Sequence, residues 1–150
     1  MCGAVSIQYD PVLREQLSKY FSEDEIKKFE QNSEIIFAYW GKRPMLPIRQ
    51  GNEIIFLDWG NRDKSLSLPQ TGWARLESLH AKKWEKLKPK MVFIPAHRGC
   101  EKKVWFNLDK DIKAVLIQKD GMERVYMITE VATPKYKALT GHARMPRLIN

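Results

Sequence analysis

The chain has 150 residues, 43% of them hydrophobic and 29% charged, which suits one domain over residues 1–150 with one continuous core. Lys and Arg outnumber Asp and Glu by 26 to 18, for a formal charge of +8 and a pI near 9.5, so a polyanionic partner is expected, either nucleic acid or an anionic surface. No apolar run reaches bilayer-spanning length and the first residues lack the pattern of a signal peptide, so no membrane partner is expected and the cytoplasm is the expected location. The two cysteines, Cys2 and Cys100, are too few and too oddly placed for a disulfide framework, and reduced thiols are expected.

In chain order, Asp10-Pro11 reads as a helix cap with proline in the first turn, and Val12, Leu13, Leu17, Tyr20 and Phe21 follow at helical spacing. Ser22 and Glu25 form a capping box for a second short helix through Ile26 and Phe29. Glu34 to Trp40 and Glu53 to Trp59 are rich in β-branched and apolar residues between Gly and Pro punctuation and read as strands, with Gly41 to Pro47 as the loop between them. After a polar turn from Asn61 to Gln70, Ala74 to Leu87 places Leu76, Leu79, Trp84 and Leu87 on one helical face, with Lys82, Lys83 and Lys86 elsewhere. Strands are then predicted over Met91 to Pro95, Lys103 to Leu108, Lys113 to Gln118 and Arg124 to Val131, with Asp120-Gly121 as a hairpin turn. Thr133 before Pro134 caps a last short helix, and Gly141 to Pro146 is a loop. The pattern predicts an α+β fold around a largely antiparallel, barrel-like sheet with flanking short helices.

The residues with the most chemistry are Met1-Cys2-Gly3. Removal of Met1 would put an α-amine and a thiol on one residue, with ordinary pKa values near ~8 and ~8.5, so that modest perturbation makes either one reactive. Such a pair can take an aldehyde as a Schiff base and close a five-membered thiazolidine through sulfur, or act as an N-terminal hydrolase nucleophile. Taken alone, the motif favours the plainer reading, a cysteine that merely follows the initiator.

Further landmarks follow in order. They are Trp59-Gly60, Ala74-Arg75-Leu76-Glu77-Ser78, Ile94-Pro95-Ala96 with Glu101 six residues after Pro95, Thr133-Pro134, and His142-Ala143-Arg144-Met145-Pro146. Together with Met1-Cys2-Gly3 they resemble the SRAP family, the SOS-response-associated peptidase domain, over nearly the whole chain. The resemblance implies a domain that binds single-stranded DNA containing abasic sites, with a covalent link through Cys2 to the ring-opened aldehyde, in the DNA damage response. Cys2 would be the nucleophile, Glu101 would orient or deprotonate its α-amine, and His142 would act as general acid and base on the sugar oxygen. Arg75 and Arg144 would hold flanking phosphates. Apart from the resemblance, the five tryptophans read as core or half-buried by default, and Trp59 and Trp73 are the candidates to stack on unpaired bases instead. The peptidase label would correspond to autoprocessing that frees Cys2, and in a bacterium the protein would associate with the nucleoid. No small-molecule cofactor and no metal are implied.

Trp73 stands where the family segment begins with Asn. This leaves a second expectation open, a catalytically degenerate SRAP-fold module that binds DNA without covalent chemistry. A basic groove using Lys82, Lys83, Lys86, Lys88 and Lys90 with Arg62, Lys64 and Arg75 would serve either, and the same lysines also read as a solvated face. A metal site from Cys2, His97, Cys100 and His142 is a weaker alternative, since the spacing matches no zinc module.

Overall fold

The computed structural model describes residues 2–150, and the proposed loss of Met1 lies outside the described residues. The described residues form eleven strands and four α-helices. The strands are β1 (Ala4–Gln8), β2 (Glu34–Ala38), β3 (Met45–Gln50), β4 (Glu53–Trp59), β5 (Trp73–Arg75), β6 (Lys90–Ile94), β7 (Arg98–Glu101), β8 (Val104–Asn107), β9 (Ile112–Lys119), β10 (Met122–Val131) and β11 (Arg144–Pro146). The helices are α1 (Arg14–Leu17), α2 (Glu23–Asn32), α3 (Leu76–His80) and α4 (Pro134–Thr140), with 3-10 turns at Pro11–Leu13 and Glu85–Leu87. A four-stranded antiparallel sheet has the order β2-β1-β7-β8. A second sheet runs β3-β4-β10-β9-β6, with β5 and β11 also on β10, and β3 meets β6 so that it nearly closes into a barrel. The expected α+β, barrel-like architecture is the one found.

β10 organises the second sheet because its side chains are buried on both faces. Val125 and Met127 enter the core that also holds Cys2, Leu46, Phe56 and Trp59, whereas Tyr126 and Ile128 enter a second cluster with Leu68, Ala74 and Ile117. The period of two makes this alternation automatic in a strand. The β9–β10 hairpin turns on Asp120 and Gly121, both at positive φ (53° and 77°), the geometry that favours Asp-Gly in a two-residue turn.

The caps read from sequence are present. Asp10 accepts from Val12 N, Ser22 and Glu25 complete both halves of their capping box, and Thr133 accepts from Tyr136 N. The long amphipathic helix from Ala74 to Leu87 is not. Trp73–Arg75 instead pairs in parallel with Met127–Thr129 of β10, beyond the point where β4 stops pairing. The helix that follows ends at His80, and Lys82 and Lys88 adopt left-handed φ of 60° and 50°. Leu76, Leu79, Trp84 and Leu87 nevertheless pack on one cluster, so the apolar residues share a face without one continuous helix. The loop expected over Gly41 to Pro47 ends early, because β3 starts at Met45 and carries Pro47 opposite Phe56. β3 pairs with a single strand, β4, where proline's missing N–H is tolerated. In the expected loop before the C-terminus, Arg144–Pro146 forms β11.

Candidate active site at the N-terminal strand

β1 lies between β2 and β7, with Ala4 opposite Cys100, and Gly3 N donates to Cys100 O at 3.0 Å. This register sets residue 2 beside Glu101, the last residue of β7. Cys2 is 0% exposed, and its Sγ–H donates to Ala4 O at 3.2 Å. Its carbonyl accepts from the indole Nε1 of Trp73 at 3.0 Å, and the Gly3 carbonyl accepts from Tyr39 N at 3.0 Å. Gly99 forms one wall: a Cβ there would lie 3.2 Å from Cys2 Sγ and 2.7 Å from Phe106 Cζ. Burial, reinforced by the nearby Glu101 and Cys100 and opposed by backbone bonds from Cys100 and Ala4, pushes the Cys2 thiol up to about 12. In this arrangement the thiol is neutral at physiological pH.

Glu101 is 4% exposed, with Oε1 3.8 Å from His142 Nδ1. His142 is set by the loop that follows α4. Gly141 ends the helix at φ 75°, His142 N donates to Thr140 Oγ1 at 3.2 Å, and Arg144 N donates to His142 Nδ1 at 2.9 Å. An accepting Nδ1 puts the neutral ring's proton on Nε2. Lys102 Nζ bonds Gly141 O at 3.3 Å and ties the β7–β8 turn to this loop. The structure therefore brings Cys2, Glu101 and His142 together, the first two buried and His142 partly exposed.

Tyr136 is a site residue that sequence reasoning missed. It is buried on α4, stacks edge-on against Phe106 at 5.3 Å, and lies close enough to Cys2 and Glu101 that their charges, after burial itself, raise its phenol well above the usual range. The available signal was an aromatic in the first turn of a capped helix just before the His142 loop.

The expected DNA contacts fare differently. Trp59 is 2% exposed and its Nε1 is spent on Gly72 O at 2.8 Å, so it cannot stack on a base and serves the core instead. Trp73 is half-buried, tilted against Tyr39 at 4.7 Å, and its indole N–H holds Cys2. Arg144 is only 12% exposed at its side chain, with its guanidinium engaged by Glu77 and by Thr129 O at 2.8 Å, so it braces β11 against β10 rather than facing a phosphate. Arg75 is exposed, 3.5 Å from Glu77. Lys82, Lys83, Lys86, Lys88 and Lys90 are all exposed.

His97 is held on the β2 side, with Nδ1 3.1 Å from Ser6 O and Nε2 3.2 Å from Glu34 Oε2. Among the described residues no group of three or more His, Cys, Asp or Glu side chains is placed to hold a metal. A concavity of about 680 Å3 is lined by five carboxylates, Asp10, Glu15, Glu53, Asp109 and Asp111, against Arg49 and Lys110, and contains none of Cys2, Glu101 and His142. Its carboxylates make it a poor path for a polyanion. No helix of the described residues is long and apolar enough to cross a membrane.

No protein-family model matches the chain, and no curated protein matches it. Among solved structures, the chain is similar to the X-ray crystal structure of a protein from Bacteroides thetaiotaomicron, with 14% identity, a TM-score of 0.57, and coverage of 99% of this chain and 77% of that one. That likeness is one of fold.

Proposed function

We propose that this protein binds single-stranded DNA and links covalently to abasic sites through Cys2, in the manner that its resemblance to the SRAP family implies. The observation that carries the reading is the meeting of buried Cys2 and Glu101 with the partly exposed His142, from three segments far apart in sequence. The α-amine of Cys2, once freed of Met1, attacks the C1′ aldehyde of the ring-opened sugar, and loss of water gives an imine. Sulfur then adds to the imine carbon while its proton passes to nitrogen, closing a thiazolidine, so the net change is one aldehyde, one amine and one thiol giving the ring and one water. Glu101 receives and returns the amine proton. His142 is the group to protonate the departing sugar oxygen. Hydrolytic release of Met1 by the same residues would be the peptidase part of the activity.

A second reading, a DNA-binding module without covalent chemistry, is favoured by a different observation. Cys2 has no exposed surface and Trp73 clamps its carbonyl, where the family segment begins with Asn. Incubation of protein beginning at Cys2 with an oligonucleotide carrying one abasic site, run on a denaturing gel beside Cys2→Ala, separates the two. A Cys2-dependent shifted band supports the covalent reading, and binding without such a band supports the module.

A further inference from the structure

We propose that the basic concavity lined by Lys42, Arg43, Arg62 and Arg124, together with the exposed Trp40 of the loop that supplies Lys42 and Arg43, is a docking site for single-stranded DNA, taking phosphates on the cations and a base on Trp40. The proposal rests on the DNA-binding part of the reading above and is independent of its covalent part.

The loop between β2 and β3, Tyr39 to Pro44, is fixed by Arg62. One guanidinium donates to three backbone carbonyls of this loop, Tyr39 O at 3.2 Å, Gly41 O at 2.8 Å and Lys42 O at 3.2 Å, and lies 5.8 Å from the Tyr39 ring centre. On this braced loop Trp40 is 67% exposed. A large indole held out to water on a fixed loop gains nothing for the fold, since tryptophan normally contributes its area to a core. It does suit stacking on an unpaired base.

The adjoining concavity, about 250 Å3, is lined by Lys42, Arg43, Arg62, Arg124, Asp58 and the Trp59-Gly60 turn. Four cations thus face one lining carboxylate. Among the described residues Arg43 is paired with Asp58, Nε to Oδ1 at 3.2 Å. Arg62 spends its donors on neutral carbonyls, and Arg124 donates to Gly60 O at 3.1 Å with its other amino group 3.9 Å from Met122 Sδ. Carbonyl bonds position a guanidinium without cancelling its charge, so the concavity keeps a positive field suited to phosphate. The neighbouring carboxylate of Asp63 accepts from the Ser65 hydroxyl at 2.7 Å and also feels the charge of Arg124.

The place also suits a strand that reaches Cys2. Tyr39 carries Arg62 over its ring, bonds Gly3 O through its own N–H, and packs on Trp73, which in turn bonds Cys2 O. The concavity and Cys2 are thus the two ends of one aromatic tract. A concave arrangement of cations fits a threaded polyanion better than a flat lipid face, so DNA is the occupant chosen.

The test uses Cys2→Ala protein and a fluorescein-labelled oligothymidylate without abasic sites, so that covalent chemistry plays no part in the outcome. Trp40→Ala and the double variant Lys42→Glu/Arg43→Glu change exposed side chains, and thermal melting checks that each stays folded. Anisotropy titrations are expected to show roughly tenfold weaker binding for Trp40→Ala, with loss of DNA-induced tryptophan quenching. The double variant should bind at least about tenfold more weakly, with a salt dependence reduced by about 1.4 in log–log slope for two lost phosphate contacts. The proposal is overturned if folded variants bind within twofold of the parent, if the parent does not bind the oligonucleotide, or if the variants lose only binding to phosphatidylserine vesicles.

Discussion

The indole N–H of Trp73 donates to the carbonyl oxygen of Cys2 at 3.0 Å. One residue of β5 thereby fixes the backbone of the proposed nucleophile, and does so from the position where the resembled family segment begins with Asn. Trp73→Phe keeps most of the packing on Tyr39 and Trp59 and deletes the bond, so a loss of about 1 kcal/mol in stability is expected from chemical denaturation. Iodoacetamide labelling of Cys2, read separately from Cys100 by peptide mass, should speed up several-fold. Labelling of Cys2 at the parent rate would mean that the bond does not hold the residue in place.

Gly99 is required by contact rather than by backbone conformation. A methyl there would meet Phe106 at 2.7 Å and Cys2 Sγ at 3.2 Å, so Gly99→Ala must push one of them away. Overpacking of this kind costs about 1–3 kcal/mol. A urea titration is expected to show that loss together with faster labelling of Cys2.

The molecule should be more sensitive to base than its charge alone would suggest. Burial raises the Cys2 thiol and the Tyr126 phenol to about 12 and raises Tyr39, Cys100 and Tyr136 as well. The folded state therefore holds these protons to higher pH than the unfolded chain does. Their contribution is complete below the ordinary values of about 8.5 for a thiol and about 10 for a phenol, and it is lost as pH rises toward the folded values. Urea midpoints at pH 8, 9.5 and 11 should fall across that series. Glu34 acts in the opposite sense: burial alone would raise its carboxyl, but bonds from Arg98 and Ser6 hold it below the usual range. Its contribution is present above the unfolded value and is lost as pH falls through the lowered one.

Glu101 and His142 should affect reaction more than fold. Glu101→Gln keeps the shape of a side chain that is 4% exposed while removing its capacity to carry a proton. Loss of general acid–base assistance is worth about 100-fold or more in rate. Cross-linking of abasic DNA by Glu101→Gln and by His142→Asn should slow by that order, with the melting temperature checked alongside, and a parent rate in both would remove these residues from the proposed mechanism.

Much of the fold was legible because its signals are local. The capping box at Ser22, the cap at Thr133, the Asp120-Gly121 turn and the alternating run of β10 each rest on a few neighbouring residues. What escaped depends on partners distant in sequence. Ala4–Gln8 and Arg98–Glu101 are short, and Gly99 is a weak strand former, yet the two pair with each other and are held further by β2 and β8. Trp73–Arg75 carries a helix-like apolar spacing into α3, but the open edge of β10 makes it a strand. The convergence of Cys2, Glu101 and His142 follows the order of the sequence landmarks. The roles expected of Trp59 and Arg144 do not, because a motif gives no sign of burial: one indole went into the core and one guanidinium to Glu77.

The most direct measurement is the intact mass of the product formed from protein shown by mass to begin at Cys2 and an oligonucleotide with one abasic site. A species at the sum of the two masses less one water, absent with Cys2→Ala, is the result expected for a thiazolidine link. Recovery of the two components unjoined, from folded protein with a free Cys2 amine, would contradict the account.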